Sequence, residues 1–121
     1  MLLENKYYQI MEVKANQTEG KFHLHLLPDC DVYQRHCPGH PICPGVCHIE
    51  TIKECTMHLT GKRLSIATIK QCRFLSIATP SVCPEVDVII SACPIENGYK
   101  VTARITDAAR TYVEFKGTMT V

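Results

Sequence analysis

Residues 43–63 read CPGVCHIETIKECTMHLTGKR, and this stretch carries the helical pattern on which the fold turns. From Gly45 onward, Val46, Ile49, Ile52, Thr56 and Leu59 recur at steps of three and four, the spacing of one face of a helix. Pro44 suits a first turn, where its missing N–H would have lacked an intrahelical partner anyway. Gly61 supplies a stop, and Lys62 and Arg63 complement the negative end of the helix dipole. About sixteen residues at 1.5 Å each make a rod of roughly 24 Å, long enough to cross a small domain.

Outward from this rod the pattern becomes β. Tyr7 to Lys14 reads as a strand, residues 15–20 as a turn, and Lys21 to Leu27 alternates cleanly. Phe22, Leu24 and Leu26 face one way; Lys21, His23 and His25 form the wet face. Pro28 and Asp29 end that strand, and residues 29–44 form a loop with Pro38, Pro41 and Pro44. Beyond the helix, Leu64 to Ile77 holds one or two strands, the β-branched run Val86 to Cys93 another, and Tyr99 to Thr106 and Tyr112 to Val121 the last. Asn97-Gly98 predicts a type I′ hairpin, because both residues accept a positive φ. One helix with five or six mainly antiparallel strands predicts an α+β domain over residues 1–121. Its sheet covers the helix, being the only large apolar surface available to the helical stripe.

Composition limits the function. With 121 residues, 45% hydrophobic and 21% charged, the sequence describes one soluble globular domain. A formal charge of +1 leaves no large electrostatic footprint for nucleic acid. No apolar run approaches the roughly 18–20 residues that span a membrane. The opening MLLENKYYQIMEV lacks the basic-then-apolar order of a secretion signal, so the expected location is the cytoplasm. In a reducing compartment the eight cysteines stay thiols and act as small hydrophobes. A zinc site built from His36, Cys37, His40, Cys43, Cys47 and His48 is the competing reading, although no C-x-x-C pair is present.

The run from His36 to Glu50, HCPGHPICPGVCHIE, carries a histidine, two Pro-Gly pairs, a middle proline and a glutamate fourteen positions after the histidine. It resembles the H-F-P-G-x-P-x-x-P-G-V-x-x-x-E signature of β-hydroxyacyl-(acyl carrier protein) dehydratases. Arg73-Phe74 with Pro80 is similar to that family's basic-aromatic strand, and the resemblance spans most of residues 29–121. It implies a hot-dog fold, in which an antiparallel sheet wraps a central helix. It also implies a homodimer whose site takes the histidine from one subunit and the glutamate from its partner. Cys37 stands where the family has Phe, Arg35 where it commonly has Gly, and Cys43 where it has a larger apolar residue. Glu50-Thr51-Ile52-Lys53-Glu54 replaces small or apolar residues followed by Gln. These departures point to a specialised member rather than the housekeeping enzyme of fatty acid synthesis.

Dehydration of a 3-hydroxyacyl thioester needs a base for the C2 proton and an acid for the departing hydroxyl. Histidine titrates near neutrality, which suits His36 to the first task. Glu50 would supply the proton, provided that burial raises its pKa; Lys53 beside it would work the other way. The N–H of Gly45, at the positive end of the helix, is the candidate donor to the thioester carbonyl, with Val46 next to it in the substrate site. Gly45 also leaves room for ligand where a Cβ would stand. No cofactor is called for. The expected partner is an acyl carrier protein, whose acidic surface Arg35, Lys62, Arg63, Lys70 and Arg73 could meet. The competing functions are a hot-dog thioesterase, which would use a carboxylate and water without His36, and a non-catalytic acyl-binding protein.

Overall fold

A computed structural model describes residues 1–35 and 42–121. In chain order the elements are β1 (Tyr8–Ala15), β2 (Glu19–Leu26), α1 (Val32–Arg35), α2 (Gly45–Thr60), β3 (Ser65–Phe74), β4 (Glu85–Ile95), β5 (Gly98–Thr106) and β6 (Thr111–Thr120). The strands form one sheet in the order β1-β2-β4-β5-β6-β3. Every neighbouring pair in it is antiparallel. Two-residue alternation gives β2, β4, β5 and β6 a buried apolar face. Phe22, Leu24 and Leu26 of β2, Val86, Val88 and Ile90 of β4, Val101 and Ile105 of β5, and Val113 and Phe115 of β6 are all buried. α2 packs against this sheet, with Ile52 and Cys55 fully enclosed. Burying one such aliphatic or aromatic side chain stabilises by about 1.5–3 kcal/mol. The helix wrapped by an antiparallel sheet is the architecture that the sequence predicts. Among the described residues no helix is long and apolar enough to cross a membrane.

Three local expectations change. First, the buried face of α2 is rotated from the apolar stripe. Val46 is 69% exposed, whereas Cys47, His48, Thr51, Ile52, Glu54, Cys55 and Thr56 are buried. The threonines tolerate burial because their hydroxyls donate back along the helix, Thr51 to the Cys47 carbonyl and Thr56 to the Ile52 carbonyl, each at 2.7 Å. Second, the β4–β5 hairpin closes between Ile95 and Gly98, so its loop residues are Glu96 and Asn97. Only Asn97 takes a positive φ, of 63°. Gly98 already belongs to β5, where a Cβ would run into the Met119 carbonyl; its smallness serves the approach of β6, not the turn. Third, residues 64–77 hold a single strand, and the loop after β2 contains the short turn α1. The end of α2 is as read: Gly61 is left-handed at φ 69° and its N–H donates to the Met57 carbonyl.

Candidate active site

α2 begins at Gly45. The N–H groups of Cys47 and His48 both donate to the Pro44 carbonyl, at 3.0 and 3.1 Å. Those of Gly45 and Val46 have no acceptor among the described residues. Two open donors at the positive end of a sixteen-residue helix suit a carbonyl oxygen that is gaining charge. The missing Cβ of Gly45 plays a different part from the one expected. The ring of Phe74, at the end of β3, fills that space, and a Cβ would lie 2.9 Å from its Cζ. The same ring lies 6.1 Å from that of His48. His48 packs inside, and burial lowers its pKa to about 4, so it is neutral at ordinary pH. Apolar surface nevertheless remains open here: Val46 on the first turn of α2, and Phe74, Leu75 and Ile77 running off the end of β3.

Glu50 lies five residues into α2, about 7.5 Å along the axis from Gly45. It is half-buried, and one carboxyl oxygen is 3.4 Å from Lys53 Nζ. Its pKa is raised, first by burial and then by the Glu54 carboxyl beside it; the Lys53 charge pulls the other way. The expected opposition from Lys53 is therefore present, and burial prevails over it.

The sequence reading missed Glu54, which is fully buried. Its Oε2 accepts from the backbone N–H groups of Leu2 and Leu3, at 3.1 and 3.0 Å. Its Oε1 accepts from the Glu4 N–H and the Tyr8 hydroxyl, at 3.0 and 2.9 Å. The available signal was its place four residues after Glu50, on the same face of the helix. On the opposite surface of the sheet, His23 is more than a wet side chain. Its ring nitrogens lie 2.8 Å from Asp87 and 2.6 Å from Glu85, and these two hydrogen bonds raise its pKa.

His36 lies outside the described residues, as do Cys37 and His40. Among the described residues no three His, Cys, Asp or Glu side chains are grouped to hold a metal, and the seven described cysteines are free thiols. Burial raises the Cys47 thiol to about 11, away from reactivity at neutral pH. Of the basic residues considered for a carrier, Arg73 lines a trough of about 860 Å³ on the outer face of the sheet, with Lys14, Lys21, Arg104 and Lys116. Lys62 lies over the Tyr99 ring, 5.6 Å from its centre.

A six-stranded antiparallel sheet around a long helix, whose first turns carry a glutamate of raised pKa and two amides without an acceptor among the described residues, invites comparison with known proteins. Residues 12–115 match the ApeI-like family, described as ApeI dehydratase. The chain belongs to this family. Among solved structures it is similar to the dehydratase heterocomplex ApeI:P from Xenorhabdus doucetiae, with a TM-score of 0.72 and 21% identity over 93% of this chain and 97% of that one. It is also similar to a hypothetical thioesterase with coenzyme A from Streptococcus pneumoniae TIGR4, with a TM-score of 0.68 and 9% identity over 94% and 84% of the two chains. An uncharacterised protein from Erwinia carotovora subsp. atroseptica gives a TM-score of 0.62 and 15% identity over 91% and 89%. These likenesses establish the hot-dog fold. No curated protein matches the chain. As an ApeI-like member it takes its place among dehydratases. The family agrees with the resemblance of residues 36–50 to the β-hydroxyacyl dehydratase signature.

Proposed function

We propose that this protein removes water from 3-hydroxyacyl thioesters borne by an acyl carrier protein, giving trans-2-enoyl thioesters, and that it works in the cytoplasm as a homodimer. One observation carries the reading. Glu50 retains its proton more strongly than an exposed glutamate, on the same helix that opens with the Gly45 and Val46 amides, which have no acceptor among the described residues. In the reaction the imidazole of His36 takes the proton from C2. The electron pair of that bond becomes the new C2–C3 double bond, and the C3–O bond breaks. Glu50 gives its proton to the departing hydroxyl, which leaves as water, and proton exchange with solvent resets both side chains. Charge on the thioester oxygen is met by the Gly45 N–H, with Val46 beside the bound chain.

The homodimer is supported by β3, an outer strand of the sheet that pairs only with β6. An unpaired edge with apolar residues such as Ile69 and Phe74 exposed is a template for a second strand. Pairing there would bring a partner subunit to the start of α2. A related dehydratase was solved as a heterocomplex; for this chain the proposed partner is a second copy. The basic trough, which Arg73 joins to the Phe74 end of β3, supports an acidic carrier.

The test is an ultraviolet assay for enoyl formation from 3-hydroxyacyl carrier substrates of several lengths. Glu50→Gln should abolish turnover, with a loss of at least about a hundredfold, while the circular dichroism stays unchanged. Free acid and released thiol as the products would replace this reading with hydrolysis. The thioesterase reading needs Glu50 as a carboxylate to activate water, and its raised pKa favours the acid role.

A further inference from the structure

The sequence departs from the dehydratase signature at two neighbouring positions that both carry charge, Lys53 and Glu54. We infer that Glu54 is a positioning residue for the reaction: a buried carboxylate one helical turn after Glu50, fixed by residues 2–4 and Tyr8, whose charge keeps the acidic proton on Glu50. The inference rests on the proposed role of Glu50 and deepens it.

Two donors on each oxygen make Glu54 an acceptor at both, the bonding pattern of a carboxylate. A carboxylate offers about four lone-pair sites, and here four donors at 2.9–3.1 Å already hold them. A proton shared by the two carboxyls therefore has its place on Glu50, which no such cradle surrounds. Residues four apart on a helix are neighbours, and a like charge nearby penalises ionisation. Burial acts on Glu50 in the same direction, and among the described residues only Lys53, 3.4 Å away, acts against it. The other described titratable groups around the pair are Cys47, whose thiol burial keeps protonated, and Tyr8, Cys55 and Glu4, which face Glu54. Glu4 is itself engaged by His58 at 2.8 Å. A neutral Gln at position 54 would present an amide to two of the four donors and remove the charge. The carboxylate thus does two things at once: it ties residues 2–4 to the helix and sets the proton on Glu50.

The experiment follows the side-chain carboxyl carbons of Glu50 and Glu54 by NMR across pH in protein labelled at glutamate, beside the pH dependence of kcat/KM. In the unmodified protein, Glu50 should take up its proton at a higher pH than an exposed glutamate does. Glu54→Gln should move the Glu50 midpoint, and the alkaline limb of kcat/KM with it, down by about one unit. Lys53→Met should move both up. A purely structural Glu54 would change stability and leave both midpoints in place, and that result overturns the inference. So would an unmodified Glu50 that takes up its proton no earlier than an exposed glutamate, a reading that needs no variant to fold. If no enoyl product forms at all, the proposed reaction fails, and the two NMR midpoints still decide the coupling.

Discussion

Tyr7 and Tyr8 are neighbours in sequence and both are fully buried, yet their hydroxyls meet opposite fates. Tyr8 donates to the Glu54 carboxylate at 2.9 Å. The Tyr7 hydroxyl has no hydrogen-bond partner of good geometry among the described residues, with the Cys43 thiol and Tyr33 as its polar neighbours. A hydrogen bond to a charged acceptor contributes about 1.5–3 kcal/mol, whereas a buried orphan costs energy to keep. Tyr8→Phe should therefore destabilise by about 2 kcal/mol, and Tyr7→Phe should be neutral or stabilising. Urea midpoints of the two variants measure this directly; equal losses would mean that the Tyr7 hydroxyl has a partner.

At the scale of elements, the junction of α2 with β3 is the point to probe. Gly45→Ala puts a Cβ 2.9 Å from the Phe74 ring, which is half-exposed and can turn aside. Stability should change little, by under about 1 kcal/mol. kcat/KM should fall by about ten- to a hundredfold, because the ring and the first amides of α2 move together. An unaffected rate would separate Phe74 from the site. This junction also marks how far the sequence could be read. Strand positions followed from alternation, since a half-buried strand records its two faces in its letters, as in KFHLHL. The ends of α2 followed from Pro44 and Gly61. The buried face of α2 followed only in part: Ile52 and Thr56 lie inside as the stripe predicts, whereas Thr51 and Glu54 enter the core because their polar groups find hydrogen-bond partners there. The hairpin loop was misplaced by one residue because Gly98 is small for the sake of Met119 across the strand pair. The Pro-Gly frame is what singles out Glu50 in the sequence for its proposed role; its surroundings needed three dimensions. The His36 assignment lies outside the described residues.

The whole molecule carries two histidines whose titrations oppose each other. His48, lowered from 6.5 to about 4, is buried neutral, so stability is complete above pH 6.5 and falls as pH drops towards 4. The loss reaches about 3 kcal/mol. His23 is raised by Asp87 and Glu85, so its contribution is full below 6.5 and is lost as pH rises through the folded value. Chemical denaturation at about pH 4, 6.5 and 9 should show greatest stability at the middle value. His48→Leu should flatten the acid side, and Asp87→Asn the alkaline side; a slope that survives its own substitution assigns it elsewhere. Assembly is the other property at this scale. Phe74→Asp with Ile77→Asp should give monomers by sedimentation, with the strand signal of circular dichroism retained. A dimer that persists would place the interface away from β3. The cradle around Glu54 has a consequence of its own for how the molecule breathes. Amides 2, 3 and 4 give their hydrogens to a side chain of the central helix, not to solvent, so deuterium should reach them only when that helix lifts from the sheet. Their exchange should then keep pace with that of the helix interior.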